Sequence, residues 1–204
     1  MKLKTTVFWA ALAVGLGVAG TAAAHPHVWV DTQVTALLED GKVTAIREDW
    51  SFDEDFSASV LEDVRKAKGP AIDHVSPFSP GEIDKIKRNA FGNLRNYDYF
   101  THVWANGQPI KVKPEVTEFA AKLEGEKLRY VFTVVLAEPV DPHGRTLRIG
   151  IWDDSYYVDV GPTPNNGAAI AGAGAEACRA RISEDKAHPI YFGSIFPKTA
   201  EITC

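Results

Sequence analysis

The chain has 204 residues, 27 acidic against 22 basic side chains, a formal charge of −5 and 45% apolar residues. This is a globular composition of about one domain's length. Its mild acidity and lack of a basic cluster argue against a nucleic-acid-binding surface.

Residues 1–24 read as a cleavable secretory signal peptide. Lys2 and Lys4 form a basic start, Val7 to Val18 an apolar centre, and Ala22-Ala23-Ala24 a small-residue processing site. The apolar run is shorter than the roughly 20 residues a spanning helix needs, so no stable membrane insertion is expected after cleavage. Removing these residues, which carry two lysines and no acid, moves the formal charge from −5 to −7. It leaves residues 25–204 as a single periplasmic domain beginning at His25.

From His27 onward the pattern has a two-residue period, with Val28 and Val30 on one face and His27, Trp29 and Asp31 on the other. Asp40-Gly41 suits a tight turn, so Val28–Leu38 and Lys42–Phe52 are predicted to form an antiparallel hairpin. Phe56, Val60, Leu61 and Val64 then take helical spacing, which Gly69-Pro70 stops. A second helix opens at Ser79-Pro80-Gly81-Glu82, with a capping Ser, a Pro at the first position and a Glu three residues after the cap.

Strand character is predicted again over Tyr97–Trp104, followed by a turn at Asn106-Gly107 and a short strand at Ile110–Val112. Val116–Leu123 and Leu128–Leu136 form a third hairpin, and Leu147–Trp152 and Tyr156–Val160 two short strands. The Pro-, Asn-, Gly- and Ala-rich stretch from Gly161 to Gly174 reads as a loop, and Cys178–Ile182 as a strand tethered to the closing Ile202. The fold class predicted is α+β: a mostly antiparallel, two-layer β-sheet domain with a two-helix insertion. Cys178 and Cys204 are the only cysteines. In an exported chain they are expected to pair, with two thiolate ligands as the alternative.

The most chemical stretch is Ala24-His25-Pro26-His27. After cleavage, the new amine and the His25 imidazole can chelate one ion, with His27 nearby; such nitrogen donors suit nickel, cobalt, zinc or copper. The square-planar amino-terminal site needs a deprotonated amide at residue two, and Pro26 has no N–H to lose. Further ligands would come from Asp53, Glu54 and Asp55, where strand gives way to helix, or from Asp153 and Asp154 between strands. Each carboxylate has a structural alternative as a helix cap or turn residue. Asp31 lies four residues, about 13 Å, along an extended strand from His27 and farther still from His25, too far for one shell. His74, His102, His143 and His188 are scattered and read as ordinary surface or core. The strand aromatics read first as core. No hydrolase elbow, phosphate loop, dinucleotide fingerprint or His-Glu-x-x-His is present, so no catalytic residue is assigned.

Several of these segments, taken in order, resemble a bacterial family of unknown function. They are Ala-His-Pro-His-Val-Trp-Val-Asp from Ala24, Trp50-Ser51-Phe52-Asp53-Glu54, Tyr97-Asp98-Tyr99-Phe100-Thr101, Asp153 through Tyr157, and a late Cys. The family's members are described as the periplasmic component of an uncharacterised ABC-type transport system, often beside nickel/cobalt transporters. By position, the resemblance marks His25, His27, Asp53, Glu54, Asp153 and Tyr157. It implies metal transport or homeostasis, with an inner-membrane metal transporter as partner. The family's Asp/Gly-rich, calcium-loop-like stretch has no counterpart in Lys68 to Ser79. The function expected is a periplasmic accessory or binding protein for a divalent transition metal. The alternatives are a metal-free interaction module of a transporter and a histidine-brace copper oxidase completed by His102 or His188.

Overall fold

The structure is a computed structural model that describes residues 26–67 and 69–204. Residues 1–24, expected to be a signal peptide, and the expected ligand His25 lie outside the described residues. Strands β1 (Val28–Glu39) and β2 (Lys42–Phe52) form the predicted hairpin, turned by Asp40 and Gly41 at φ 49° and 73°. Such angles suit the primed turn that matches strand twist. Helix α1 (Glu54–Arg65) follows at once, capped by Asp53, and buries Ser57, Val60, Leu61 and Val64. Helix α2 (Pro80–Ile86) starts in the predicted capping box of Ser79 and Glu82. It then loosens into a wide turn at Lys87–Phe91 and tighter turns from Gly92 to Phe100.

The remaining strands are β3 (Thr101–Ala105), β4 (Gln108–Pro109), β5 (Val112–Glu124), β6 (Lys127–Val140), β7 (Leu147–Ile151), β8 (Val158–Pro162), β9 (Ala168–Gly172), β10 (Arg179–Glu184) and β11 (Lys198–Thr203). They form two sheets. One runs β5-β6-β2-β1-β8, with β9 also on β1; the other runs β10-β11-β7-β3-β4. The α+β class and the two layers of sheet are as predicted. Cys178 and Cys204 are joined in a disulfide that ties the chain's end to the start of β10.

Three local expectations are corrected. Tyr97–Phe100 is not strand: Asp98, Tyr99 and Phe100 take successive left-handed angles of 49°, 57° and 57°, and β3 begins at Thr101. A strand would turn Tyr99 and Phe100 to opposite faces, whereas this bend buries both. Tyr99 stacks on Phe91 and Phe100 on Trp50. The Gly161–Gly174 stretch is not all loop, since Ala168–Gly172 pairs in parallel with Val34–Leu38. Alanine and glycine carry little strand preference, which hides this strand. Gly172 is needed there, because a Cβ on it would lie 2.1 Å from the Leu38 carbonyl oxygen. The short strand expected at Ile110–Val112 lies two residues earlier, at Gln108–Pro109.

On one face of the first sheet, covered by the helical segment, sits an aromatic core of Trp50, Phe52, Phe91, Tyr130 and Phe132. Glu48 lies inside it, fully buried, in register with Val34 on one side and Phe132 on the other. Its carboxyl accepts from Trp50 Nε1 (2.9 Å) and from Thr101 Oγ1 of the other sheet (2.7 Å). Burial is the larger effect and pushes its pKa up to about 8.

Candidate functional site at the start of the first strand

Three segments far apart in sequence meet where β1 begins. On one side Trp29 and the β2–α1 junction exchange hydrogen bonds: Asp53 N–H donates to the Trp29 carbonyl (3.0 Å) and Trp29 N–H to Asp53 Oδ2 (2.8 Å). Asp53 Oδ1 accepts from Phe56 N–H at 2.8 Å, which caps α1. On the other side β8 runs parallel to β1, with Val28 opposite Val158, and His27 N–H donates to the Tyr157 carbonyl (2.9 Å). The His27 and Tyr157 rings lie 4.7 Å apart.

The turn that feeds β8 is organised by Asp153. Its Oδ1 accepts from Ser155 N–H (2.9 Å), and its Oδ2 from Tyr157 N–H (3.1 Å) and Val158 N–H (3.2 Å); Ser155 Oγ reaches both oxygens. Asp53 and Asp153 are thus both engaged with main-chain donors. This is the cap-and-turn alternative that composition left open. Glu54, in the first turn of α1, is exposed, and no hydrogen bond of its carboxylate is found among the described residues. So His27, Asp53, Glu54, Asp153 and Tyr157 share one end of the molecule. Cys178 and Cys204 form a staple instead.

Beside this end opens a cavity of about 680 Å³ whose lining includes Tyr97, Asp98, His102, Trp152, Asp154 and Tyr157. Two rings of its wall, His102 and Trp152, belong to a stack that the sequence did not reveal. His102 and Trp104 share the outer face of β3, opposite Gly150 and Arg148 of β7. Trp152 folds back over Gly150, where a Cβ would lie 1.9 Å from its ring. The indole stacks on His102 at 4.3 Å, and Trp104 stacks on His188 at 4.4 Å. Both histidines are oriented: His102 Nε2–H donates to the Trp152 carbonyl (3.2 Å), and His188 Nδ1 pairs with buried Asp185 (2.8 Å). Burial holds the His102 pKa below the usual histidine value. The available sequence signal was the His102-x-Trp104 spacing opposite a glycine, which only the strand register makes meaningful.

A family described as a protein of unknown function, DUF1007, matches residues 10–204, nearly the whole chain. The chain belongs to the DUF1007 family. An uncharacterised protein of Haemophilus influenzae is 29% identical over 148 residues, covering 72% of this chain and 67% of that one. An uncharacterised 15.5 kDa protein in the trpE 3′ region of Spirochaeta aurantia is 28% identical over 130 residues, covering 62% of this chain and 89% of its own. The DUF1007 match spans every segment that converges on the start of β1. Among the described residues no group of three or more His, Cys, Asp or Glu side chains is placed to hold a metal ion, and no helix is long and apolar enough to cross a membrane.

Proposed function

We propose that this DUF1007 protein is an exported, periplasmic accessory protein that binds a divalent transition metal (nickel, cobalt, zinc or copper) for an inner-membrane transporter. The observation that supports it is the convergence of His27, the Asp53-Glu54 junction and the Asp153–Tyr157 turn at the start of β1, next to the expected mature N-terminus. The metal is cargo, and nitrogen donors suit it. Asp53 and Asp153 hold the end together through main-chain amides, so of the carboxylates here Glu54 is the one proposed as a ligand, beside the His25 amine and imidazole and the His27 imidazole. In this account Asp53 and Asp153 do for the site what outer-shell groups do elsewhere: they fix the backbone that carries the ligands. Protons compete for amine and imidazole, so affinity falls below roughly pH 6 to 7.

The test is a metal titration of signal-free protein beginning at His25 against a variant with one residue added before it. The expected result is a large loss of affinity in the extended variant; equal affinity would remove the terminal amine from the site. A metal-free interaction module is the second reading. It is favoured by the full engagement of Asp53 and Asp153 with the backbone and by the exposure of Trp29 (49%) and Tyr97 (64%) at this end. No thermal shift on adding nickel, cobalt, zinc or copper would select it.

A further inference from the structure

The cavity beside the β1 start has its own chemistry, separate from the amino-terminal donors. Among the described residues no lysine or arginine lines it, and every charged side chain in its wall is an acid. Of these, Asp153 is taken up by main-chain amides, but Asp98 makes no side-chain hydrogen bond among the described residues. Asp154 engages one oxygen, Oδ1, with Trp152 Nε1 at 3.1 Å. His102 donates through Nε2, which leaves Nδ1 as an acceptor on a ring that burial keeps neutral at pH 7. Apart from Ser155 and Val158 the rest of the wall is aromatic, with exposed Tyr97 at the mouth and the buried Phe100 and Trp152.

The wall's charged side chains are all acids and much of its surface is aromatic, which suits a ligand that brings donors and positive charge. The acceptors are spread out rather than gathered, and no three metal-ligating side chains among the described residues converge. A cation that distributes its charge over several N–H groups or an apolar shell fits that spacing; a bare ion does not. The volume, about 680 Å³, is that of a small-molecule pocket. The wall is also held ready. The left-handed arm Asp98–Phe100 is pinned by Trp152 N–H on the Phe100 carbonyl (3.0 Å) and by Tyr99 Oη on the Pro114 carbonyl (3.0 Å). Backbone in that region persists only where its surroundings over-determine it. Here it buries Tyr99 while leaving Asp98 exposed at the cavity.

We propose that this cavity seats an organic cation, a guanidinium or ammonium group on a short aliphatic stem, with the charge toward Asp98 and Asp154 and the stem against Tyr97 and Phe100. The inference rests on this end being a binding site but not on metal there, so it is tested in EDTA. Signal-free protein is titrated calorimetrically at pH 7 with butylguanidine, with its neutral isostere butylurea, and with the blocked peptide acetyl-Gly-Gly-Arg-Gly-Gly-amide.

The expected result is saturable one-to-one binding of butylguanidine, weakened about tenfold or more for butylurea and in the Asp98→Asn, Asp154→Asn double variant. Asparagine tolerates the left-handed angle at residue 98 and keeps an acceptor for Trp152, and an unchanged thermal midpoint checks the fold. A peptide that binds more tightly than butylguanidine identifies the cation as a basic side chain of a partner polypeptide; one that binds less tightly identifies a free small cation. Both rankings support the seat. Equal binding of butylurea and butylguanidine, no saturable binding of either cationic probe, or an undiminished double variant would overturn it.

Discussion

Asp53 and Asp153 occupy the same kind of position, a carboxylate at the junction of two elements, and both are committed to main-chain amides. Replacing Asp53 with Ala removes a helix cap and the acceptor for Trp29 N–H, at a cost of about 1–2 kcal/mol. Asp153→Ala leaves the Ser155, Tyr157 and Val158 amides without their acceptor and costs more, about 2–4 kcal/mol. Urea unfolding of both variants measures these losses. Metal affinity per folded chain is expected to fall about 10-fold or more in Asp53→Ala and further in His27→Ala, which ranks positioning group below ligand. At this scale the residues were legible in sequence and their roles were not. An aspartate before a helix serves equally as cap or ligand until its lone pairs are counted, and that count needs Trp29, 24 residues away.

Among the elements, the hairpin of β1 and β2, the capping box of α2 and the disulfide were legible because each is specified by residues close in sequence or by a fixed chemistry. The left-handed arm at Asp98–Phe100 was not, because its alternating aromatics imitate a strand while tertiary packing on Phe91 and Trp50 decides otherwise. Nor was β9, whose pairing with β1 depends on register and on the space left at Gly172. Two expectations follow for these elements. Breaking the disulfide with Cys178→Ser and Cys204→Ser opens a loop spanning 26 positions and lowers stability by about 3 kcal/mol, read from denaturant midpoints. Gly150→Ala forces the Trp152 ring off β7, so tryptophan emission shifts to the red and the His102 stack is lost.

Across the whole molecule, the two sheets are joined in the core by one protonated acid. Glu48 has a folded pKa of about 8 against an ordinary value of 4.5. The folded state therefore binds more protons than the unfolded state between those values, and this group's contribution to stability falls as pH rises from 4.5 to about 8, then levels off. In Glu48→Gln, the amide oxygen can keep accepting from Trp50 Nε1 while its NH2 donates to Thr101 Oγ1, whose own proton then turns to the Tyr99 carbonyl. The stability difference between wild type and this variant should be small at pH 5 and grow in the variant's favour toward pH 9. A pH-independent difference in unfolding free energy would contradict the burial account. The larger claim is that the fold gathers the start of β1, the Asp53 junction and the Asp153 turn to present a mature N-terminus that binds metal. Mass spectrometry of the exported protein tests it most directly, native for bound metal and denatured for the first residue. The account predicts a chain beginning at His25 that carries one divalent transition metal ion; a chain beginning elsewhere, or one that stays metal-free in saturating nickel, cobalt, zinc and copper, would contradict it.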